Sequence, residues 1–156
     1  MGENLPSLDD RCLAGHSGTG FDHGVAGHII TNYRVIEDAE GMLVTFSGDR
    51  VVEAEIVGTD PLNDLAVLSV DVGDRLPPAL PLGETSDLRV GQIVVAIGDP
   101  FGLEQTLTTG VVSALSRVIE SPQDNRFIGE AIQTDAAVYP GSSGSPLMDL
   151  TGRWLA

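Results

Sequence analysis

The run VVEAEIVG, residues 51–58, sets Val52, Ala54 and Ile56 on one side of an extended chain and Glu53 and Glu55 on the other. Successive side chains of a strand point to opposite faces, so this alternation predicts a half-buried antiparallel strand with Ile56 turned inward beside Val52 and Ala54. TLTT at 106–109 alternates in the same way, Thr106 and Thr108 against Leu107 and Thr109. The remaining apolar stretches are short and rich in Val, Ile and Thr: HIITNY at 28–33, MLVTF at 42–46, LAVLSV at 65–70, QIVVAIG at 92–98 and EAIQT at 130–134. Gly, Pro and Asp separate them, which is the signature of strands rather than helices. Many short strands joined by turns predict an all-β chain built as a sandwich or barrel.

The densest proline cluster, RLPPALPLGETSDL at 75–88, cannot sustain a central strand or a helix interior. It reads as a linker. The expected organisation is an N-terminal extension over 1–17, a first β-barrel over 18–72, an inter-barrel linker over 73–89 and a second β-barrel over 90–156.

With 156 residues, 42% of them apolar, the chain can bury a single sizeable core. Its eight basic residues, all Arg, stand against 23 acidic ones for a formal charge of −15. A nucleic-acid or anionic-membrane partner is not expected, because phosphate binding needs a positive field. Cys12 stands alone, so neither an intrachain disulfide nor a multi-cysteine zinc site is available. The opening MGENLPSLDD lacks the basic end and apolar core of a signal peptide, and no apolar run reaches the ~18–20 residues of a membrane span. A soluble chain is expected.

The most informative string is YPGSSGSPL, residues 139–147. A tight turn of small residues can aim backbone N–H groups at one spot and present a serine hydroxyl beside them, the pairing that nucleophilic acyl transfer uses. A Gly/Ser surface loop has the same letters. Three further segments accompany it in order: TNYRVIEDA at 31–39, VGTDPLNDLAVLSV at 57–70 and GDPFGLEQTLTTGVVSAL at 98–115, followed by AIQTDAAVYPGSSGSPL at 131–147. Together, over nearly all of residues 18–155, these segments resemble the protease domain of the HtrA/Deg family of trypsin-like serine proteases.

The resemblance implies a trypsin-like double antiparallel β-barrel with the active site in the cleft between barrels. It places the nucleophile at Ser143, the oxyanion-hole amides at Gly141 and Ser143, and the orienting carboxylate at Asp64 of NDLAVL. Asp60, in GTDP, is the more ordinary turn residue. It implies unfolded or extended polypeptide as substrate, an extracytoplasmic location and no cofactor.

The family's general-base histidine falls at Arg34. A guanidinium has five donors and no acceptor, so it cannot take a proton from a serine hydroxyl near neutral pH. Losing one triad member costs ~10⁴–10⁶ in turnover. The expectation is that Arg34 pairs with Asp64 and satisfies a carboxylate otherwise buried alone. Of the histidines, His28 lies six residues before Arg34, about 20 Å away along a regular strand, and His16 and His23 sit in a Gly-rich stretch. A metal site from His16, His23 and Asp22 has no supporting spacing.

Three other departures stand out. Ser145 follows Gly144 where the family commonly has a second Gly, adding a Cβ where unusual dihedrals are expected. Asp22 and His23 replace apolar residues of an early strand. The chain runs to Ala156, 13 residues past Ser143, so the second barrel is expected to be incomplete. The reading is a trypsin-like serine endopeptidase domain of HtrA/Deg type, inactive or strongly impaired. The alternative is a non-catalytic pseudoprotease that binds peptides or self-assembles through an unpaired strand edge, as a homo-oligomer.

Overall fold

The computed structural model describes residues 7–8, 18–23, 27–46, 50–73, 78–99, 106–120 and 127–156. Its first half holds β1 (Ser7–Leu8), β2 (Gly18–Thr19), β3 (Phe21–Asp22), β4 (His28–Thr31), a single helical turn α1 (Tyr33–Ile36), β5 (Met42–Phe46), β6 (Arg50–Asp60) and β7 (Leu65–Val70). These strands make one seven-stranded sheet in the order β2-β1-β5-β6-β7-β4-β3. The strands β2 and β3 stand at opposite ends of that order although only Gly20 separates them in sequence. Consecutive Cα atoms lie ~3.8 Å apart, so the sheet has to curl until its two edges meet. That closure is the first barrel.

Every second residue of β7 and β5 turns into this barrel. Ile29, Val44 and Leu68 are fully buried there, with Val35, Ile36, Phe46, Ala54, Ala66 and Val70 around them. The alternation in β6 holds through Ala54, which is buried, and then fails: Ile56 is 50% exposed, against expectation. The reason is local. Ile56 still pairs in register with the buried Leu68, but it is the last residue before a register shift to Gly58, and from there to Thr59 β6 is exposed on both sides.

The second half holds β8 (Ile93–Gly98), β9 (Thr106–Glu120), β10 (Phe127–Thr134) and β11 (Leu147–Met148), in the order β10-β9-β8-β11. This antiparallel sheet is open, and with the closed first barrel it gives the all-β double-barrel fold with an incomplete second barrel. The run IVVAIG of β8 is apolar because, beyond the exposed Ile93, both of its faces are covered. Val94 packs with Leu88, Val112 and Leu155 on one side, and Val95 and Ile97 pack on the other against Phe21, Leu80 and Met148.

That second cluster joins the two units, and the Pro-rich segment runs along it. Leu80 N–H donates to the Asp22 carbonyl at 3.0 Å, Trp154 N–H to Pro81 O at 3.0 Å and Gly83 N–H to Trp154 O at 2.8 Å. The Trp154 ring lies 5.0 Å from that of Phe21. Cys12, His16 and residues 100–105, which include most of the GDPFG turn, lie outside the described residues.

Candidate active site

Arg34 is not on a strand. It occupies α1, the turn that leaves β4, so the straight-line spacing to His28 does not apply. Val35 and Ile36 are buried in the first barrel and pin α1 to it, which leaves Arg34 on the outer side. Asp64 receives the start of this turn. Its carbonyl accepts the Tyr33 N–H at 3.1 Å and the Asn32 side-chain amide at 3.0 Å, and its Oδ1 accepts the Arg34 backbone N–H at 2.9 Å. Its Oδ2 lies 3.1 Å from Arg34 Nη1. Asp64 holds φ +55°, a left-handed conformation that Asp tolerates because its short polar side chain bonds locally. The expected Arg34–Asp64 pair is therefore present.

Asp60 behaves as a turn residue. Its carboxylate accepts the N–H groups of Leu62 at 3.1 Å and Asn63 at 3.3 Å and the Asn63 side-chain amide at 2.6 Å. The Asn63 amide holds the Asp60 carboxyl below its ordinary value.

The serine turn is held from the first barrel. Thr19, buried on β2, donates its N–H to Ser143 O at 2.7 Å and its hydroxyl to Gly141 O at 3.0 Å, and accepts the Asp99 N–H at 3.1 Å. Thr31 Oγ1 donates to Thr19 O at 2.8 Å. Asn32 Oδ1 accepts the Gly144 N–H at 2.6 Å and Arg34 Nη2 at 3.1 Å. Asn32 thus ties the serine turn, the arginine and the aspartate into one network. Neither Asn32 nor Thr19 is singled out by the sequence reading, although Asn32 sits inside a quoted segment.

Within the turn, Ser142 N–H donates to Tyr139 O at 2.9 Å and Ser145 N–H to Ser142 O at 3.0 Å. The amides of residues 142, 144 and 145 are thereby taken. Those of Gly141 and Ser143 donate to nothing among the described residues. Gly141 and Gly144 hold φ +94° and +85°, whereas Ser145 is not among the left-handed residues. The strain expected at Ser145 is absent because Gly144 carries the unusual dihedral. A Cβ at Gly144 would overlap Thr19 O and Thr31 Oγ1, so the turn is seated directly on the first barrel. The Ser145 hydroxyl is buried without a partner among the described residues, against Gly98.

A cavity of about 240 Å³ is lined by Asn32, Arg34 and Ser143 together with Thr106, Thr108, Ile132, Ala137 and Val138. No histidine among the described residues lines it. His23 instead packs edge-on to Trp154, ring centroids 6.0 Å apart. Asp22 pairs across the strands with Ile29 and shares its inward face, 2% exposed, with neither carboxylate oxygen bonded among the described residues. Burial pushes its carboxyl up, and the charges of His23 and His28 offset part of that rise.

Residues 18–156 match the trypsin-like peptidase domain family. The chain is 48% identical over 136 residues to "Protease Do-like 1, chloroplastic" of Arabidopsis thaliana, which covers 87% of this chain and 31% of that protein. It is 47% identical over 135 residues to "Probable periplasmic serine endoprotease DegP-like" of Halomonas elongata, covering 86% of this chain and 27% of that protein. The chain belongs to the HtrA/Deg family of trypsin-like proteases. Among solved structures, Deg5 superposes with a TM-score of 0.82 at 40% identity, covering 96% of this chain and 76% of that one. The HtrA-type protease AlgW superposes with a TM-score of 0.85 at 34% identity, covering 97% and 48%. This HtrA/Deg domain spans between a quarter and a third of the length of the two curated relatives.

Proposed function

We propose that this HtrA/Deg domain holds extended polypeptide in the cleft beside Ser143 and cuts it poorly or not at all. Ser143 stands in the nucleophile position, the amides of Gly141 and Ser143 form the oxyanion hole, and Asp64 occupies the place of the orienting carboxylate. One observation carries the reading: Arg34 Nη1 sits 3.1 Å from Asp64 Oδ2, where a general base would be held. A guanidinium donates and does not accept, so the Ser143 proton has no recipient there. Asp64, with both oxygens engaged by Arg34, serves to anchor α1 instead of orienting an imidazole. The names of the relatives, chloroplastic and periplasmic, support a location outside the cytosol.

A fluorophosphonate probe, which labels only an activated serine, tests this directly. The parent chain should label no faster than Ser143→Ala, and Arg34→His should label at Ser143. Rapid labelling of the parent would overturn the reading. Arg34→His is expected to recover a large part of the ~10⁴–10⁶-fold loss that follows removal of a triad member.

A further inference from the structure

We propose that His23 and His28 chelate one divalent transition-metal ion, Cu²⁺, Ni²⁺ or Zn²⁺, on the face of the first barrel that packs against the second sheet. Neither residue lines the cavity beside Ser143. The site arises from strand pairing and stands whether or not Ser143 is silent.

The pairing sets the two rings side by side. Phe21 lies opposite Ile30 and Asp22 opposite Ile29, and the His23 N–H donates to the His28 carbonyl at 2.8 Å, so His23 and His28 are the next pair along the two chains. Side chains alternate between faces. Asp22 and Ile29 turn into the barrel, whereas Phe21 and Ile30 turn outward into the cluster with Leu80, Met148 and Trp154. His23 and His28 share that outward face, and the His23 ring meets the same Trp154 edge-on. Directly opposite side chains have Cβ atoms about 5 Å apart. Two imidazoles rooted at that separation can close on one ion held ~2.0–2.1 Å from a nitrogen of each.

The chemistry of the pair selects the ion. Imidazole suits Cu²⁺, Ni²⁺ and Zn²⁺, whereas Mg²⁺ and Ca²⁺ take oxygen ligands. Of the His23 nitrogens, Nδ1 is buried with no partner among the described residues, and Nε2 is not enclosed in this way. His28 is half-buried, so its ring remains within reach of solvent. The surroundings favour a cation: Asp22, on the other face, is near enough to both rings for their charges to act on its carboxyl, and the chain has a formal charge of −15. No third His, Cys, Asp or Glu among the described residues joins the pair. Water then fills the other positions on the ion, which exchanges readily and ties the end of β3 to β4 beside Trp154.

Trp154 is the sole tryptophan, and its ring centroid lies 6.0 Å from that of His23, so bound Cu²⁺ should quench its emission. The test titrates copper(II) chloride into the whole chain carrying Cys12→Ser, which removes the only thiol. Quenching should saturate at one ion per chain; zinc chloride should reverse it and magnesium chloride should not. His23→Gln and His28→Gln should each weaken Cu²⁺ binding at least about ten-fold, because losing a ligand costs no less than losing its outer-shell support. His16→Gln should leave binding unchanged. With Zn²⁺ at about a hundred times its dissociation constant, the melting temperature should rise by about 5–10 °C, a reading that needs no histidine variant to fold. Quenching that survives either His23→Gln or His28→Gln would overturn the chelate, as would weaker binding in His16→Gln. Failure of Zn²⁺ to compete or to raise the melting temperature would overturn it equally.

Discussion

Arg34 and Asp64 are joined twice, through Nη1 and Oδ2 at 3.1 Å and through the Arg34 backbone N–H and Oδ1 at 2.9 Å. The two bonds respond differently to substitution. Changing the arginine side chain removes only the ion pair, and Asp64 keeps its backbone donor. Changing the aspartate removes both and strands the Arg34 backbone N–H, while the Asp64 carbonyl keeps the Tyr33 N–H.

Asp64→Ala should therefore cost more than Arg34→Ala. The guanidinium is 45% exposed and screened by solvent, so its loss should cost about 1 kcal/mol, whereas loss of the carboxylate should cost about 2–3 kcal/mol. Urea unfolding of both single variants and the double variant gives the coupling, expected near 1 kcal/mol. Equal costs for the two single changes would contradict the assignment of Asp64 as an anchor.

Asn32→Ala removes the acceptor of the Gly144 N–H, the donor to Asp64 O and the partner of Arg34 Nη2. A loss of about 1–3 kcal/mol is expected from the stranded groups. In an Arg34→His background the same change should also slow fluorophosphonate labelling of Ser143, because the serine turn loses its tie to the first barrel. A stability loss without slower labelling would separate Asn32 from the site.

Gly144 and Gly91 make a matched pair, with φ of +85° and +88°. Gly91→Ala meets open space, so it should cost only the dihedral, about 1–2 kcal/mol. Gly144→Ala adds overlap with Thr19 O and Thr31 Oγ1 and should prevent a stable fold. Thermal melts of the two variants isolate the steric part. Similar melting temperatures would show that the serine turn is not seated on β2 and β4.

Asp22 supplies the pH dependence. Its carboxyl titrates above the ordinary 3.8 in the folded chain, chiefly through burial. The folded state then binds the proton more readily than the unfolded chain. Stability is fully present below 3.8 and is lost as pH rises through the folded value. At pH 7 the ionised carboxylate, unbonded among the described residues, opposes folding. Asp22→Asn should accordingly melt higher than the parent at neutral pH, and the gap should close as the solution is acidified toward the ordinary value. A gap that widens on acidification would reverse the assignment.

The strand runs could be read directly, because the period of two is a local property. Thr106 and Thr108 turn toward the cavity and Leu107 and Thr109 away from it, as the letters suggest. The inward placement of Ile56 failed where regular pairing ends, at a register shift that only the pairing of β6 with β7 reveals. Likewise TNYR gives no hint of a helical turn. That turn is imposed by Val35 and Ile36 entering the barrel and by Asp64 receiving its N–H groups.

By itself the sequence determined the strands, the net charge and the chemical identities at positions 34, 64 and 143. Period-two patterning and side-chain chemistry belong to each residue and its neighbours. Only the tertiary structure decided that Asn32 bridges to Gly144, 112 residues away, that Thr19 carries the serine turn, and which two amides stay unbonded among the described residues. Those contacts exist because β2 and β3 close one barrel and β11 pairs with β8 across the other sheet, and such long-range pairing leaves no local pattern in the letters.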